Sequence, residues 1–549
     1  MKDTDAVNTG FPDRARFSFI RRRQGFDCVK ALYFEGVFQD PNHVEVFTYT
    51  DRLSYRCGEM VRFHTSTTAA SFDIEIYRDG AEPALIERLR DIKGSSVALP
   101  PDFYSSGCGW PESTHWRIPD NAPSGFYLVL SRAALPDGTM RDQEHGFFIL
   151  PRRERRASVL LIAATCTWTA YNDWGGINNY LGVGAPPGFD FAPRLSIHRP
   201  WARGFLWVPD GAPRKTAWAS RAVGAIPRYP LDEFAFAHGF SKFYASAGWA
   251  MFERPFVVWA EQAGYTVDVI AQSDLHADPD ILNDYRCVVF VGHDEYWTWE
   301  MRAAVDAYVD AGGNIARLAG NYCSQVRLED DERIQVCYKE RAEQCDPVAG
   351  TASASRLTTV WDHPALKWPS EASFGLSPMY GMFANVGGFT PLASRGFTVY
   401  RPEHWAFASL GVGYGDVIGE EAAILGYEVD GLEYEFHDGL PSPSPRMRTP
   451  QGLQILAMGL ACNTERGTGK KGECLFYGDQ AGELVQFRYG SSTAEHLAAS
   501  RRGSGMIVYF ERGRGAVFHA GTCEWVAGLQ MRDVATVTVT RNVLDRFLT

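Results

Sequence analysis

The sequence predicts an α/β plus β protein of two domains. An N-terminal β-sandwich covers residues 1–150. A doubly wound α/β domain with a β-rich C-terminal extension covers 155–549. Three observations carry this reading. Between about residues 28 and 150, short runs alternate apolar and polar at period two, with turn residues between them. Beyond the basic run Arg152-Arg153-Glu154-Arg155-Arg156, apolar strands alternate with helical stretches, the signature of a parallel sheet. At 549 residues the chain also exceeds what one hydrophobic core serves.

In the sandwich, Met60-Val61-Arg62-Phe63-His64-Thr65-Ser66 and Phe72-Asp73-Ile74-Glu75-Ile76-Tyr77 read as half-buried strands. Arg78-Asp79-Gly80 and Ala122-Pro123-Ser124-Gly125 read as turns. Phe147-Phe148-Ile149-Leu150-Pro151 ends the domain, and the basic run reads as a solvated linker. The second domain opens on a strand at 158–163, followed by a Gly/Pro/Trp-rich segment to about residue 230. A helix from Phe252 to Ala263 leads into the strand Val267-Asp268-Val269-Ile270. Next come a buried strand at 287–291, a helix at 298–311 stopped by Gly312-Gly313, and a strand at 314–318. The charged stretch from about 325 to 350, containing Leu328-Glu329-Asp330-Asp331-Glu332-Arg333, reads as an exposed insertion. Asn542-Val543-Leu544-Asp545-Arg546-Phe547-Leu548 reads as a final helix.

A composition of 45% hydrophobic and 22% charged residues is that of an ordinary soluble protein. The net charge of −12 argues against nucleic acid as a partner, because phosphate binding needs a basic surface. No apolar run approaches the roughly 18 residues needed to span a bilayer. The polar start Met1-Lys2-Asp3-Thr4-Asp5 leads into no secretory signal. Eleven scattered cysteines without a C-x-x-C pair fit reduced thiols in a cytoplasmic protein.

The chain holds no G-x-S-x-G, H-E-x-x-H or Walker A sequence. Gly467-Thr468-Gly469-Lys470-Lys471-Gly472 lacks the phosphate-loop ending and reads as a loop. Gly411-Val412-Gly413-Tyr414-Gly415 has the wrong spacing for a dinucleotide. The informative stretches are two strand ends. Ser158-Val159-Leu160-Leu161-Ile162 runs on to Tyr171-Asn172-Asp173-Trp174-Gly175-Gly176, and Cys287-Val288-Val289-Phe290-Val291-Gly292 runs into His293-Asp294-Glu295-Tyr296-Trp297. Open α/β sheets bind ligands outside the carboxyl ends of their strands. In glutamine-amidotransferase-like folds, the class expected for this domain, a cysteine nucleophile follows such a strand. Here His293, Asp294 and Glu295 occupy the place, so thiol catalysis is not expected. If the backbone stays extended, His293 and Glu295 point to one side and Asp294 to the other. A purely structural reading stands beside this one. His293 would be a satisfied strand-end histidine and Glu295 would begin the helix that follows. Tyr171 and Tyr180 would be packing residues among 24 tyrosines, and Asn172-Asp173 with Gly175-Gly176 a tight turn.

At these residues the chain resembles the large (beta) subunit family of N,N-dimethylformamidase. The markers are Ala170-Tyr171-Asn172, His293-x-Glu295-Tyr296, and Gly312-Gly313-Asn314 with Gly320-Asn321. Leu425-Gly426-Tyr427-Glu428-Val429-Asp430-Gly431, Val517-Phe518-His519-Ala520-Gly521-Thr522 and Thr540-Arg541-Asn542-Val543-Leu544-Asp545-Arg546-Phe547 follow in order. Over the sandwich the likeness is looser, through Trp116-Arg117-Ile118-Pro119 and Ala122-Pro123-Ser124-Gly125-Phe126-Tyr127. Asp294 stands where the amidase has proline, and the segment between the two tyrosines is shorter than in the amidase.

The resemblance implies one mononuclear Fe(III) per chain, with Tyr171, Tyr180 and Glu295 as metal ligands. It implies His293 and Glu295 as catalytic residues, with Asn172, Trp174, Asn321 and His519 about the substrate. The implied reaction is cleavage of the C–N bond of a small amide or N-substituted formamide by metal-bound hydroxide, with a small second subunit or a homo-oligomer as partner. The donor chemistry agrees. Phenolates and carboxylates are hard oxygen donors suited to a trivalent ion, and phenols that ionise near pH 10 unaided need such an ion to be phenolates at neutrality. His293 near its usual pKa could move the proton of a metal-activated water. The alternative is a non-catalytic ligand- or carbohydrate-binding two-domain protein, since fold alone does not imply chemistry.

Overall fold

The period-two alternation of the first domain folds into two sheets that face each other. In the computed structural model, residues 44–182, 185–215, 230–382, 394–462, 485, 488–500 and 502–549 are described. One sheet holds Val46–Thr50, Met60–Thr67 and Glu112–Arg117. The other runs in the order Ser54–Tyr55, Met140–Ile149, Gly125–Ala134, Ser71–Arg78, Ala84–Lys93. Val61, Phe63 and Trp116 from the first meet Ile74, Ile76, Val129 and Phe147 from the second in a core of their own.

The other architectural unit is a mixed nine-stranded sheet, whose strands are numbered here in chain order: β1 Val159–Ala163, β2 Val267–Ala271, β3 Cys287–His293, β4 Asn314–Gly320, β5 Phe397–Val399, β6 Val417–Ile418, β7 Gln454–Cys462, β8 Arg502–Arg512 and β9 Gly515–His519. They lie in the order β2-β1-β3-β4-β9-β8-β7-β5-β6. The first five are parallel and the rest are antiparallel. Instead of forming a separate β-rich extension, the C-terminal strands complete this same sheet. β1 and β3 are buried along their whole length, which explains their continuous apolar sequence.

The helices used below are α1 Thr165–Tyr171, α2 Glu253–Gln262, α3 Trp299–Ala311 and α4 Val534–Leu548. The Thr298 hydroxyl caps α3, accepting from Met301 N at 3.2 Å, and Gly312 ends the helix at φ 115°. Thr298 therefore fills the capping role and Glu295 is left for other work. Within β3, Gly292 adopts φ 70°, where a Cβ would lie 2.3 Å from that of Phe252.

The charged stretch 325–350 is not an exposed insertion. Ser324–Glu329 and Ile334–Val336 pair with each other and with Tyr296–Thr298 and Arg194–Ser196 in a four-stranded sheet. Val326, Val336 and Cys337 are buried there while the charges between them face outward. The two units also share a core. Phe126 of the sandwich stacks on Trp249 at 4.3 Å, and Phe126 and Phe148 both pack on Trp168. Asp79 accepts from Trp249 Nε1 at 2.7 Å and Arg254 Nε at 2.9 Å. Every cysteine whose side chain is described is free, and among the described residues no helix is long and apolar enough to cross a membrane.

Glu253 at the start of α2 is buried and accepts from Ala164 N at 3.0 Å and Trp168 Nε1 at 3.1 Å. Burial outweighs these hydrogen bonds and raises its pKa to about 7. The folded chain therefore holds this proton more tightly than the unfolded chain. The stability it contributes is complete below the usual carboxyl range and is lost as pH rises toward 7. In Glu253→Gln that slope should disappear. Urea midpoints at pH 5 and pH 8 should differ less in the variant than in the wild type; an equal difference would contradict this account.

Candidate functional site at the carboxyl ends of the central strands

The parallel strands deliver their ends to one level. Tyr171 is the last residue of α1, which follows β1; His293 ends β3, opposite Gly320 of β4. Asn321 follows β4 at once, in a left-handed backbone at φ 60°, with its N–H donating to Asp430 Oδ1 at 2.8 Å. Tyr427 and Glu428 lead into the strand Val429–Gly431. The close approach of these segments needs a glycine, since a Cβ on Gly320 would meet the Cys523 N at 2.7 Å and the Glu428 O at 2.9 Å.

Three oxygen-bearing side chains converge. The Tyr171 hydroxyl donates to Glu295 Oε2 at 3.1 Å, and the Tyr180 hydroxyl reaches Glu295 Oε2 at 2.8 Å and Oε1 at 3.0 Å. The Tyr180 hydroxyl also lies 2.7 Å from that of Tyr296, and the two rings of Tyr171 and Tyr180 are 4.3 Å apart. His293 Nε2 stands 2.7 Å from Glu428 Oε2 and 3.4 Å from Glu295 Oε2. Its Nδ1 faces the Ser246 carbonyl at 2.5 Å. The Asn321 amide is 3.0 Å from His293 Nε2 and also bonds Glu428, while its Oδ1 is buried without a partner. Lys339 Nζ sits 3.3 Å from the centre of the Tyr180 ring.

These neighbours set the charges. Burial depresses the pKa of His293, but the charge on Glu428 and the hydrogen bond to Glu295 reverse this and hold it at about 10. Burial works against ionising Glu295, yet His293 and Lys339 keep it below the usual carboxylate range. Glu428 is raised by burial. Burial and the Glu295 charge push both Tyr171 and Tyr180 well above 10. Without a cation, then, both phenols keep their protons and aim them at Glu295. A hard cation that displaced those protons would meet three anionic oxygens already gathered around one point, so the donor set fits such an ion. His293, Glu428 and Cys523 form an adjoining group whose ligand atoms lie within 4.8 Å of one another.

Of the residues expected from sequence, Tyr171, Tyr180, His293, Glu295 and Asn321 come together. As extended backbone requires, Asp294 points the other way and binds Arg317, Trp297 Nε1 and Gln272 Nε2. Asn172 and Trp174 do not line the site. The Asn172 side chain bonds Pro200 O, Trp174 N and Ala202 N, and Trp174 is buried against Phe47, Phe103 and Trp110 of the first domain. His519 is buried beneath it, between the carbonyls of Phe374 and Ala319, 3.5 Å from Asp430. Of the tyrosines near Tyr180 in sequence, Tyr229 lies outside the described residues, and the Tyr244 hydroxyl is engaged by Pro213 O at 2.6 Å. The loop of Gly467–Gly472 also lies outside them. Glu428, Tyr427, Tyr296 and Lys339 were not singled out from sequence, although the first three fall within the quoted motifs.

The family described as "N,N-dimethylformamidase beta subunit-like, C-terminal" matches residues 74–538. The chain is 24% identical over 225 residues to the N,N-dimethylformamidase beta subunit of Paracoccus aminophilus, covering 39% of this chain and 27% of the relative. It is 25% identical over 228 residues to the beta subunit of the same name from Alcaligenes sp, with the same two coverages. The matched segment thus spans about a quarter of the length of these relatives. Among solved structures, the PmoD soluble domain from a Methylocystis species gives a TM-score of 0.14 at 10% identity, over 22% of this chain and 98% of its own. That value carries no argument about the fold.

The loop that carries Tyr180 is tied to α1 by Asn178. Its Nδ2 donates to Tyr171 O at 2.8 Å, and its Oδ1 accepts from Tyr180 N at 2.8 Å and Leu181 N at 3.0 Å. Asn178→Ala should cost about 2–4 kcal/mol, because it leaves buried backbone groups unpaired. Urea unfolding would measure the loss, and hydrogen exchange of residues 171–182 should accelerate. Unchanged exchange would show that the loop is held by other means.

Proposed function

The chain belongs to the N,N-dimethylformamidase beta subunit-like family, and on that premise we propose that it is an amide hydrolase. It would cleave the C–N bond of a small amide or N-substituted formamide with a mononuclear ferric ion held by Tyr171, Tyr180 and Glu295. The observation that carries the reading is the convergence of two phenol hydroxyls on one buried carboxylate, beside an imidazole. When bound, such an ion polarises the amide carbonyl and acidifies the attacking water.

The chain's own residues supply the proton handling. His293 and Glu428, 2.7 Å apart, share a proton between a raised carboxyl and a raised imidazole. In the proposed reaction this pair takes the proton of the attacking water as the new C–O bond forms. It returns a proton to the departing nitrogen as the C–N bond breaks. Water and amide enter; carboxylic acid and amine leave. The unpartnered Oδ1 of Asn321 supplies a hydrogen-bond acceptor beside the pair. Phe243 packs edge-on against Tyr171, and Tyr427 edge-on to His293. The relatives' designation as beta subunits supports a further proposal, that the chain works with a smaller partner subunit or as a homo-oligomer. The free cysteines among the described residues support the proposal of a cytoplasmic setting.

Purified protein should be coloured by phenolate-to-iron charge transfer and contain about one iron per chain. A colourless, iron-free preparation with full activity would overturn the proposal. Tyr180→Phe should fold normally while its visible band shifts or vanishes and its iron affinity falls. Glu428→Gln should instead retain iron and colour yet lose about 10²–10⁴-fold in turnover. Stopped assays of amine release across formamides and acetamides, run beside metal analysis, separate these two outcomes.

A further inference from the structure

Away from this site, the start of α3 and the segment 351–368 border an open cleft of about 700 Å³, within the size range of small-molecule sites. We propose that this cleft binds a small flat carboxylate, an aromatic acid in chemical class. Its walls are the half-buried indoles of Trp299 and Trp368, with ring centres 4.6 Å apart and planes at 66°. Each indole is braced by a guanidinium: Arg356 lies 5.0 Å from the Trp299 ring, and Arg302 lies 4.2 Å from that of Trp368. Arg302 is itself fixed, donating to the carbonyls of Trp368 and Pro369 and to Ser373 Oγ. The walls are therefore set before any ligand arrives, which limits the entropy lost on binding.

The charge of the cleft is one-sided. Arg356 is neutralised by Glu300, but Lys367 is exposed and has no counter-charge among the described residues. Its backbone is held at φ 59°, an uncommon conformation for a side chain of this size. No carboxylate lines the cleft, and the Ser355 hydroxyl there has no partner among the described residues. The lining of this slot also includes the small side chains of Ala354 and Ala365. An ammonium, a hydroxyl and two indoles lining one cleft match a carboxylate on a flat apolar body. Nothing in this argument depends on the reaction proposed above.

The test is calorimetric titration of the full chain with benzoate, with benzyl alcohol and acetate as comparators. Benzoate should bind saturably at one site, and each comparator should bind at least about tenfold more weakly. Lys367→Met should weaken benzoate by about tenfold, and Ala354→Trp, which fills the slot, should abolish binding. Thermal midpoints should stay unchanged, since both positions border open space. Equal affinity for benzoate and benzyl alcohol would overturn the proposal. So would acetate bound as tightly as benzoate, benzoate binding that survives either substitution, or no saturable binding to the folded wild-type protein.

Discussion

Two buried carboxylates share one imidazole, and the rest of the site follows from that constraint. A buried charge is tolerated only when paired and hydrogen-bonded. His293 can neutralise one of Glu295 and Glu428 but not both. The remaining charge is met by hydroxyl protons from Tyr171 and Tyr180 and by the nearby Lys339. These groups come from four parts of the chain, 171–180, 293–295, 339 and 428. They can meet because β1, β3, β4 and β9 are parallel and end at one level of the sheet.

The N-terminal sandwich takes part in this arrangement. Trp174, three residues beyond Tyr171, is wedged among rings of that domain, and the buried Arg199 gathers the carbonyls of Asn172, Trp174 and Ile177. The backbone between the two tyrosines is thus anchored on its outer side by the sandwich and on its inner side by α1. Buried polar contacts strengthen the same joint, with Ser54 donating to Asp274 and Glu144 accepting from Gly204 and Leu206. Loosening the joint would be felt at Tyr180 before it was felt at β3.

What was legible in the sequence was local. The apolar run of β3, the Gly312 stop of α3, and the two-residue step from His293 to Glu295 each need only a few neighbouring residues to be read. What was missed depends on distant pairing. Glu428 reaches His293 across more than a hundred residues, through a strand that pairs with Ser377–Met382, a partner that periodicity cannot name. The C-terminal strands read as a separate extension because the pairing of β9 with β4 spans about two hundred positions. The stretch 325–350 read as exposed because its charges outnumber its apolar residues, yet Gln325, Val326, Gln335, Val336 and Cys337 are buried where its strands pair. Asn172 and Trp174 adjoin Tyr171 in sequence, but the turn after α1 directs them into the domain joint. His293 ends β3, within a sheet that is mixed parallel and antiparallel, and Glu295 follows it by two residues.

The stitching of residues 171–182 by Asn178 has a kinetic meaning. The two phenols sit nine positions apart on one short closed segment, which the Asn178 amide ties to α1 and Arg199 holds through the carbonyls of Asn172, Trp174 and Ile177. Chelation by a closed segment separates how tightly an ion is held from how quickly it is exchanged. For the ion proposed above, residence time would then depend on how often this segment opens as well as on the affinity of the oxygens themselves.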